Sequence, residues 1–276
     1  ISHIMENLSD KYKPVDIFVD KNNTWYLGGV PILPAELPHK VDVVLDMSLH
    51  PALSNIVNNL SIPFLGHGSF TQFLGSDKEA LSKQVKNLNI KIPKSILLPA
   101  YQQDFDGELS TYATRKAREV WNKFPAPWMI KAFGENSTMG IHLAKTFPEL
   151  VRAIEDGVHH KKSILIEEFI VGKVGAIHSL EGFRGEDIYV LPPQNLTSKE
   201  RDFVIDLTKK FHKHIDGKHY LKTDFVIHPR LGFFIIGLET IPDMRAGSHF
   251  EEACRMVGAE MQHVIDHFIS IKYPIN

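Results

Sequence analysis

At 276 residues, 43% of them hydrophobic and 23% charged, the chain is long enough to bury a substantial core and to divide into two or three lobes. A formal net charge of −2 supplies no broad attraction for nucleic acid or anionic lipid, so a small-molecule role is favoured over a polyanion role. Cys254 is the single cysteine, which excludes an intrachain disulfide and fits a reducing compartment.

No apolar run reaches the roughly 18 residues of a membrane-spanning helix, and no positive-then-apolar leader opens the sequence, so the cytoplasm is the expected compartment. The sequence begins at Ile1 rather than a methionine, which leaves open a preceding N-terminal piece. Alternating strand and helix signals run from end to end and predict an α/β fold, beginning with short buried strands over Val15 to Val19 and Val41 to Leu45. Asp77 is placed to cap a helix that carries Leu81, Val85 and Leu88 on one face. Pro93 ends the connection that follows, and Ser95 to Leu98 reads as a strand opening a new lobe.

Trp128 to Phe133 reads as a strand running into the polar stretch Gly134-Glu-Asn-Ser-Thr-Met-Gly140, with a second strand over Ile141 to Ala144. Thr146 with Glu149 makes a capping box for a helix whose Leu150, Val151, Ile154 and Val158 share a face, and Ser163 to Phe169 returns as a strand. Thr197 with Glu200 repeats the box ahead of Phe203, Val204, Leu207 and Phe211. Tyr220 to Ile227 and Gly232 to Thr240 flank His228-Pro-Arg-Leu231 as a β-hairpin. A last helix shows Met261, Val264, Ile265 and Phe268. On it, His263 and His267 share a face at i, i+4 spacing, but without a His-Glu-x-x-His string they read as a solvated or partly packed face. Cys254, among Phe250, Met256 and Val257, reads as a packed thiol.

No Gly-x-x-x-x-Gly-Lys-Ser/Thr or Gly-x-Gly-x-x-Gly string is present, so a phosphate site here needs another construction. Backbone amides of a flexible Gly/Ser/Thr loop beside a lysine can meet phosphate oxygens, and Gly134 to Gly140 with Lys131 offers both. By itself such a loop is more often a plain turn between two strands.

The order of the short segments says more. Pro63-Phe-Leu-Gly66, Ser76-Asp-Lys78, Ile92-Pro93, Ile130-Lys131, Ser137-Thr138-x-Gly140, Glu167-Glu-Phe-Ile170 with Gly172, Thr223-Asp-Phe225 and Glu239-Thr-Ile-Pro242 follow one another as in the D-alanine:D-alanine ligases. From Ile62 to its C-terminus the chain resembles that family. The resemblance implies an ATP-grasp fold of α/β (α+β) class, with an N-terminal Rossmann-like lobe over residues 1–76, a small central lobe over 77–172 and a C-terminal lobe over 173–276. It implies that Lys78 and Lys131 face the phosphates of ATP, and that Glu167, Glu168, Phe169 and Ile170 form the strand that reads adenine. Ser137 and Thr138 would sit in the loop that closes over the phosphates, shielding an acyl-phosphate from water.

The departures from the family pattern bear on chemistry. The family's last strand reads Glu-x-Asn-Thr-x-Pro-Gly-Met, whereas here it is Gly237-Leu-Glu-Thr-Ile-Pro-Asp-Met244, so Gly237 stands for the bridging glutamate and Glu239 for the asparagine. Strand alternation lets Glu239 and Asp224 face each other, which is enough to hold one Mg²⁺ together with phosphate and water. Val174 stands where an acidic residue would hold the ribose, and Lys222 replaces an arginine, keeping the charge without the planar fork. Ser248 matches a serine that binds the substrate carboxylate, although Asp243 and Arg245 replace a glycine and a threonine beside it. At the front, His50-Pro-Ala-Leu-Ser is shorter than the family's His-Gly-x-x-Gly-Glu-Asp-Gly loop.

The implied function is an ATP-dependent carboxylate–amine ligase working through an acyl-phosphate, with ATP and Mg²⁺ as cofactors and Ser137, Lys222 and Ser248 as catalytic residues. Its substrate would be an amino acid or related carboxylate, with no nucleic-acid or membrane partner and a homodimer by analogy. A second reading stays open, in which a catalytically degenerate relative keeps the fold as a nucleotide- or partner-binding module.

Overall fold

The computed structural model describes residues 2–47, 51–66, 69–133 and 139–273. The chain forms two compact units, one made of Ile1–Leu88, Val174–Phe225 and Gly237–Asn276, the other of Asn89–Lys173 and Val226–Ile236.

The first unit begins with an antiparallel meander of three short strands, Ile17–Val19, Trp25–Leu27 and Val30–Ile32. Asp20 makes its first turn by accepting the amides of Asn22 and Thr24 at 2.8 and 2.9 Å. Gly28 and Gly29, at φ 55° and 80°, make the second. Val44–Leu45 then pairs in parallel with Phe64–Leu65, and Trp25, Leu37, Val44, Val57, Ile62 and Phe64 bury a small core. Two expected strands are shorter than the sequence suggests. Val15 is half exposed and unpaired with the meander, and the Val41 amide closes the preceding turn on Leu37 O at 3.1 Å rather than entering a ladder.

Asp77 caps Lys78–Gln84 by accepting the amides of Glu79 and Ala80, each at 2.9 Å. The helix tightens into a 3₁₀ turn over Val85–Leu88, leaving Leu81 and Val85 buried and Leu88 only half-buried.

The later part of this unit is built on a four-stranded sheet in the order Ile188–Leu191, Lys173–Glu181, Tyr220–His228, Gly232–Glu239. The helix Ser198–His214 carries its expected box, with Glu200 N to Thr197 Oγ1 at 3.3 Å and Thr197 N to Glu200 Oε2 at 2.9 Å. Helices His249–Met256 and Met261–Lys272 close a core of Leu180, Leu191, Tyr220, Phe250, Cys254, Val264, Ile265 and Phe268. Burial pushes the Cys254 thiol up to about 12, as suits a packed rather than a nucleophilic cysteine. His267 packs edge-on against Phe183 and shares a hydrogen bond of 2.8 Å with Glu181 O.

The second unit is an antiparallel sheet in the order Ser95–Leu98, Ile164–Glu168, Trp128–Ala132, His142–Ala144. Helices Leu109–Lys123 and Phe147–His159 cover one face, against which Trp128, Ile130, Ile164 and Ile166 point by strand alternation. Leu150 and Ile154 are fully buried there, each worth about 1.5–3 kcal/mol over an exposed position. Thr146 caps Phe147–His159 with Glu149 returning to the Thr146 amide at 3.0 Å. The hairpin tip joins this unit by packing Val226 and Phe234 against Ile170.

Candidate functional site

The strand Tyr220–His228 alternates sides every residue, so Tyr220, Lys222 and Asp224 share one side while Leu221, Thr223 and Phe225 are buried on the other. Glu239 ends the adjacent strand. Lys222 Nζ donates to Glu239 Oε1 at 2.7 Å and lies 3.4 Å from Asp224 Oδ1, so one ammonium is held between two strand-borne carboxylates. Burial works against the Lys222 charge, but the hydrogen bond to Glu239 and the two negative charges outweigh it and raise its pKa. For Asp224, burial together with the like charge of Glu239 outweighs the pull of Lys222, and its pKa rises above the ordinary carboxylate value.

Gly237 sits under Asp224: a Cβ at this position would lie 2.8 Å from Asp224 Oδ2. The aspartate therefore fills the room a side chain at 237 would need. Among the described residues, no group of three His, Cys, Asp or Glu can hold a metal ion.

Next to this cluster, His178 of the neighbouring strand shares hydrogen bonds of 2.7 Å with Tyr220 Oη and with His249 Nδ1. Burial, aided by His249 and Lys222, lowers the His178 pKa to about 3. Burial likewise holds the Tyr220 phenol well above its usual value. Ser248 caps the helix His249–Met256: its Oγ accepts the Glu251 amide at 3.2 Å and donates its proton to Asp243 O at 2.6 Å. Arg245 grips the Asp243 carboxylate at two points, 2.8 and 2.7 Å, and so lowers the Asp243 pKa.

In the second unit, Lys131 and Glu167 stand diagonally on adjacent strands and pair at 2.8 Å, with Glu167 almost wholly buried. Glu168 Oε2 accepts the Lys94 amide at 3.3 Å, the Phe169 amide donates to Pro127 O at 3.0 Å, and Ile170 is buried. Lys78, in the first unit, is the half-buried first residue of its helix. Ser137 and Thr138 lie outside the described residues. Thus Lys222, Asp224 and Glu239 come together in one unit and Lys131 with Glu167 in the other.

Residues 178–270, which include the whole Lys222 cluster and the His178 chain, match the model of the D-ala D-ala ligase C-terminus. The D-alanine–D-alanine ligase of Halalkalibacterium halodurans is 23% identical, over 88% of this chain and 87% of that protein. That of Carboxydothermus hydrogenoformans is 25% identical, over 80% of this chain and 76% of that one. Among solved structures, the VanG D-Ala:D-Ser ligase of Enterococcus faecalis superposes with a TM-score of 0.78 over 98% of this chain and 93% of its own, at 16% identity. The Bacillus anthracis D-alanine–D-alanine ligase complexed with ATP gives 0.70 over 98% and 88%, also at 16% identity. The chain is D-alanine–D-alanine ligase-like and has the ATP-grasp fold.

In this ligase-like chain two buried arrangements escaped the sequence reading. The His178–Tyr220–His249 chain joins residues 42 and 71 positions apart. Ser179 Oγ pairs with His212 Nδ1 at 2.7 Å across 33 positions, and burial lowers the His212 pKa to about 4. Neither lies in a local motif; His178 at least follows the apolar run Val174-Gly-Ala-Ile177, whereas His212 stands among lysines. Val174, at the position expected to be acidic, is 70% exposed and offers no polar group to a ribose.

Proposed function

We propose that the chain is an ATP-dependent carboxylate–amine ligase acting on an amino acid or related small carboxylate. What supports this reading most is the ammonium of Lys222 held between Asp224 and Glu239 in the stretch similar to the ligase C-terminus. Phosphoryl transfer to a carboxylate is catalysed by positioning and by charges already in place, and this cluster supplies both signs on a rigid sheet. A carboxylate oxygen of the first substrate attacks the γ-phosphorus of ATP and ADP leaves. The amine nitrogen of the second substrate then attacks the acyl carbon, the bond to the phosphate oxygen breaks, and phosphate and a proton depart. Lys222 stabilises the negative oxygen of the tetrahedral stage in place of a guanidinium, as a point charge.

Lys78 and Lys131 are the phosphate-facing cations of this proposal, Glu167, Glu168, Phe169 and Ile170 its adenine-reading strand, and Ser137 with Thr138 its closing loop. Ser248 shapes the acceptor end, and the lobes 1–76, 77–172 and 173–276 are its working parts. Mg²⁺ takes one or two carboxylates along with phosphate oxygens. Asp224 and Glu239 are the carboxylates that would hold one such ion, in place of the Lys222 ammonium now between them, and it would neutralise the charge of the transferred group. A second ion lacks a donor, because Gly237 has no side chain and Asp224 fills its space. Among the described residues no helix is long and apolar enough to cross a membrane. By analogy with the ligases, the proposal puts the chain in the cytoplasm, as a homodimer without nucleic-acid or membrane partners.

The test is release of ADP and phosphate from ATP and Mg²⁺ in the presence of amino acids and hydroxy acids. Release that requires both a carboxylate donor and an acceptor supports the ligase; no release with any pair overturns it. The Gly237–Asp224 contact favours the second reading, a nucleotide-binding module without turnover. That reading predicts thermal stabilisation by ATP without product.

A further inference from the structure

The chain of hydrogen bonds through Tyr220, His178 and His249 fixes where its protons sit. Tyr220 is 1% exposed and keeps its phenolic proton, and His178 Nδ1, 2.7 Å away, is the acceptor its hydroxyl reaches. With Nδ1 of His178 accepting, the single N–H of that buried neutral ring is on Nε2, where it donates to His249 Nδ1 at 2.7 Å. The reverse order would strand the Tyr220 hydroxyl proton inside the core, at a cost of about 1–3 kcal/mol. His249 is therefore an imidazole with Nδ1 occupied as an acceptor and its proton on Nε2. With Nδ1 taken up by His178, the Nε2–H is the donor that the exposed ring has left to offer.

Tyr220, which anchors this chain, shares its side of the strand with Lys222 and Asp224, so His249 belongs to the same sheet face as the charged cluster. The other donors of the segment are engaged. Ser248 gives its only proton to Asp243 O, and Arg245 is clamped on Asp243 through Nε and a terminal nitrogen.

We propose that His249, rather than Ser248, is the specificity-determining donor of this site, its Nε2–H binding an anionic oxygen of substrate. That oxygen belongs to the carboxylate of the acyl acceptor or to a phosphoryl group of the nucleotide. The inference rests on the ligase reading and deepens it. The fixed tautomer gives the donor a single direction, so the residue selects for an anionic oxygen in one place and tolerates variation elsewhere on the substrate.

Steady-state kinetics of His249→Leu and His249→Gln, with ATP and acceptor varied in turn, test it. His249→Leu should raise one KM by about tenfold or more, the scale of one hydrogen bond to a charged group, while kcat stays close to wild type. His249→Gln, which carries both a donor and an acceptor, should recover most of the loss. A raised acceptor KM assigns the carboxylate, a raised ATP KM the phosphoryl oxygen, and two unchanged KM values overturn the proposal. Nitrogen-15 imidazole NMR supplies a readout apart from turnover: wild-type His249 should carry its proton on Nε2, and Tyr220→Phe should lose that fixed tautomer. A wild-type His249 protonated on Nδ1 overturns the proposal as well. Should wild type release no ADP with any acceptor, the ligase reading fails by itself. The donor role is then decided by binding of ATP and of the acceptor, where His249→Leu must weaken one Kd by about tenfold and two unchanged Kd values end it.

Discussion

Asp224 covers Gly237 so closely that a Cβ there would stand 2.8 Å from its Oδ2. Gly237→Ala should therefore push the Asp224 carboxylate off its position beside Lys222 while leaving the strand able to pair. Turnover should fall by about tenfold, equivalent to about 1.4 kcal/mol in the barrier, with a melting temperature unchanged or slightly higher. ADP release and a thermal melt on the same preparation check both halves.

Asp224 is held against its own charge, since burial and Glu239 raise its pKa above the ordinary aspartate value of 3.8. The resulting cost to folding is present once the pH exceeds the folded pKa and vanishes below 3.8, where the group is protonated folded or unfolded. Asp224→Asn should thus melt higher than wild type at pH 7, and the two should converge as the pH falls below 3.8. Product release should be lost in the same variant. A variant that melts lower at neutral pH would contradict this balance of charges.

His178 and His212 are buried neutral, with pKa lowered from 6.5 to about 3 and about 4. Each contributes stability that is whole above 6.5, the unfolded value, and is lost as the pH falls toward the folded one. The slope is at most ~1.4 kcal/mol per pH unit for each ring. Denaturant midpoints should decline through this window, and His212→Gln should flatten the decline.

Thr197 accepts the Glu200 amide at the head of the helix Ser198–His214, and Glu200 returns to the Thr197 amide. Thr197→Ala should cost about 1 kcal/mol of folding stability. Urea unfolding measures it, and turnover per folded molecule should not change.

The capping pairs Thr146–Glu149 and Thr197–Glu200 and the Asp77 cap were readable because each is a local rule with a fixed offset. The facing of Asp224 and Glu239 was readable for a similar reason, since two-residue alternation on a hairpin fixes which side chains meet. What alternation could not supply was the identity of the group between the carboxylates; the position expected to take Mg²⁺ is bridged by Lys222. The helix Leu109–Lys123 left little trace, because its buried face is Tyr112, Ala113, Ala117 and Val120, where two small residues dilute the apolar signal. The meander was hidden by strands of only three residues, too short to show a period.

The bond between His178 and His249 ties the histories of the two positions. An apolar replacement at 249 alone would leave the buried His178 without the partner of its Nε2 proton, and a replacement at 178 alone would unseat both Tyr220 and the ring at 249. Homologous chains should therefore carry both imidazoles or neither, and a lineage caught with one of them should have altered position 220 in the same stroke.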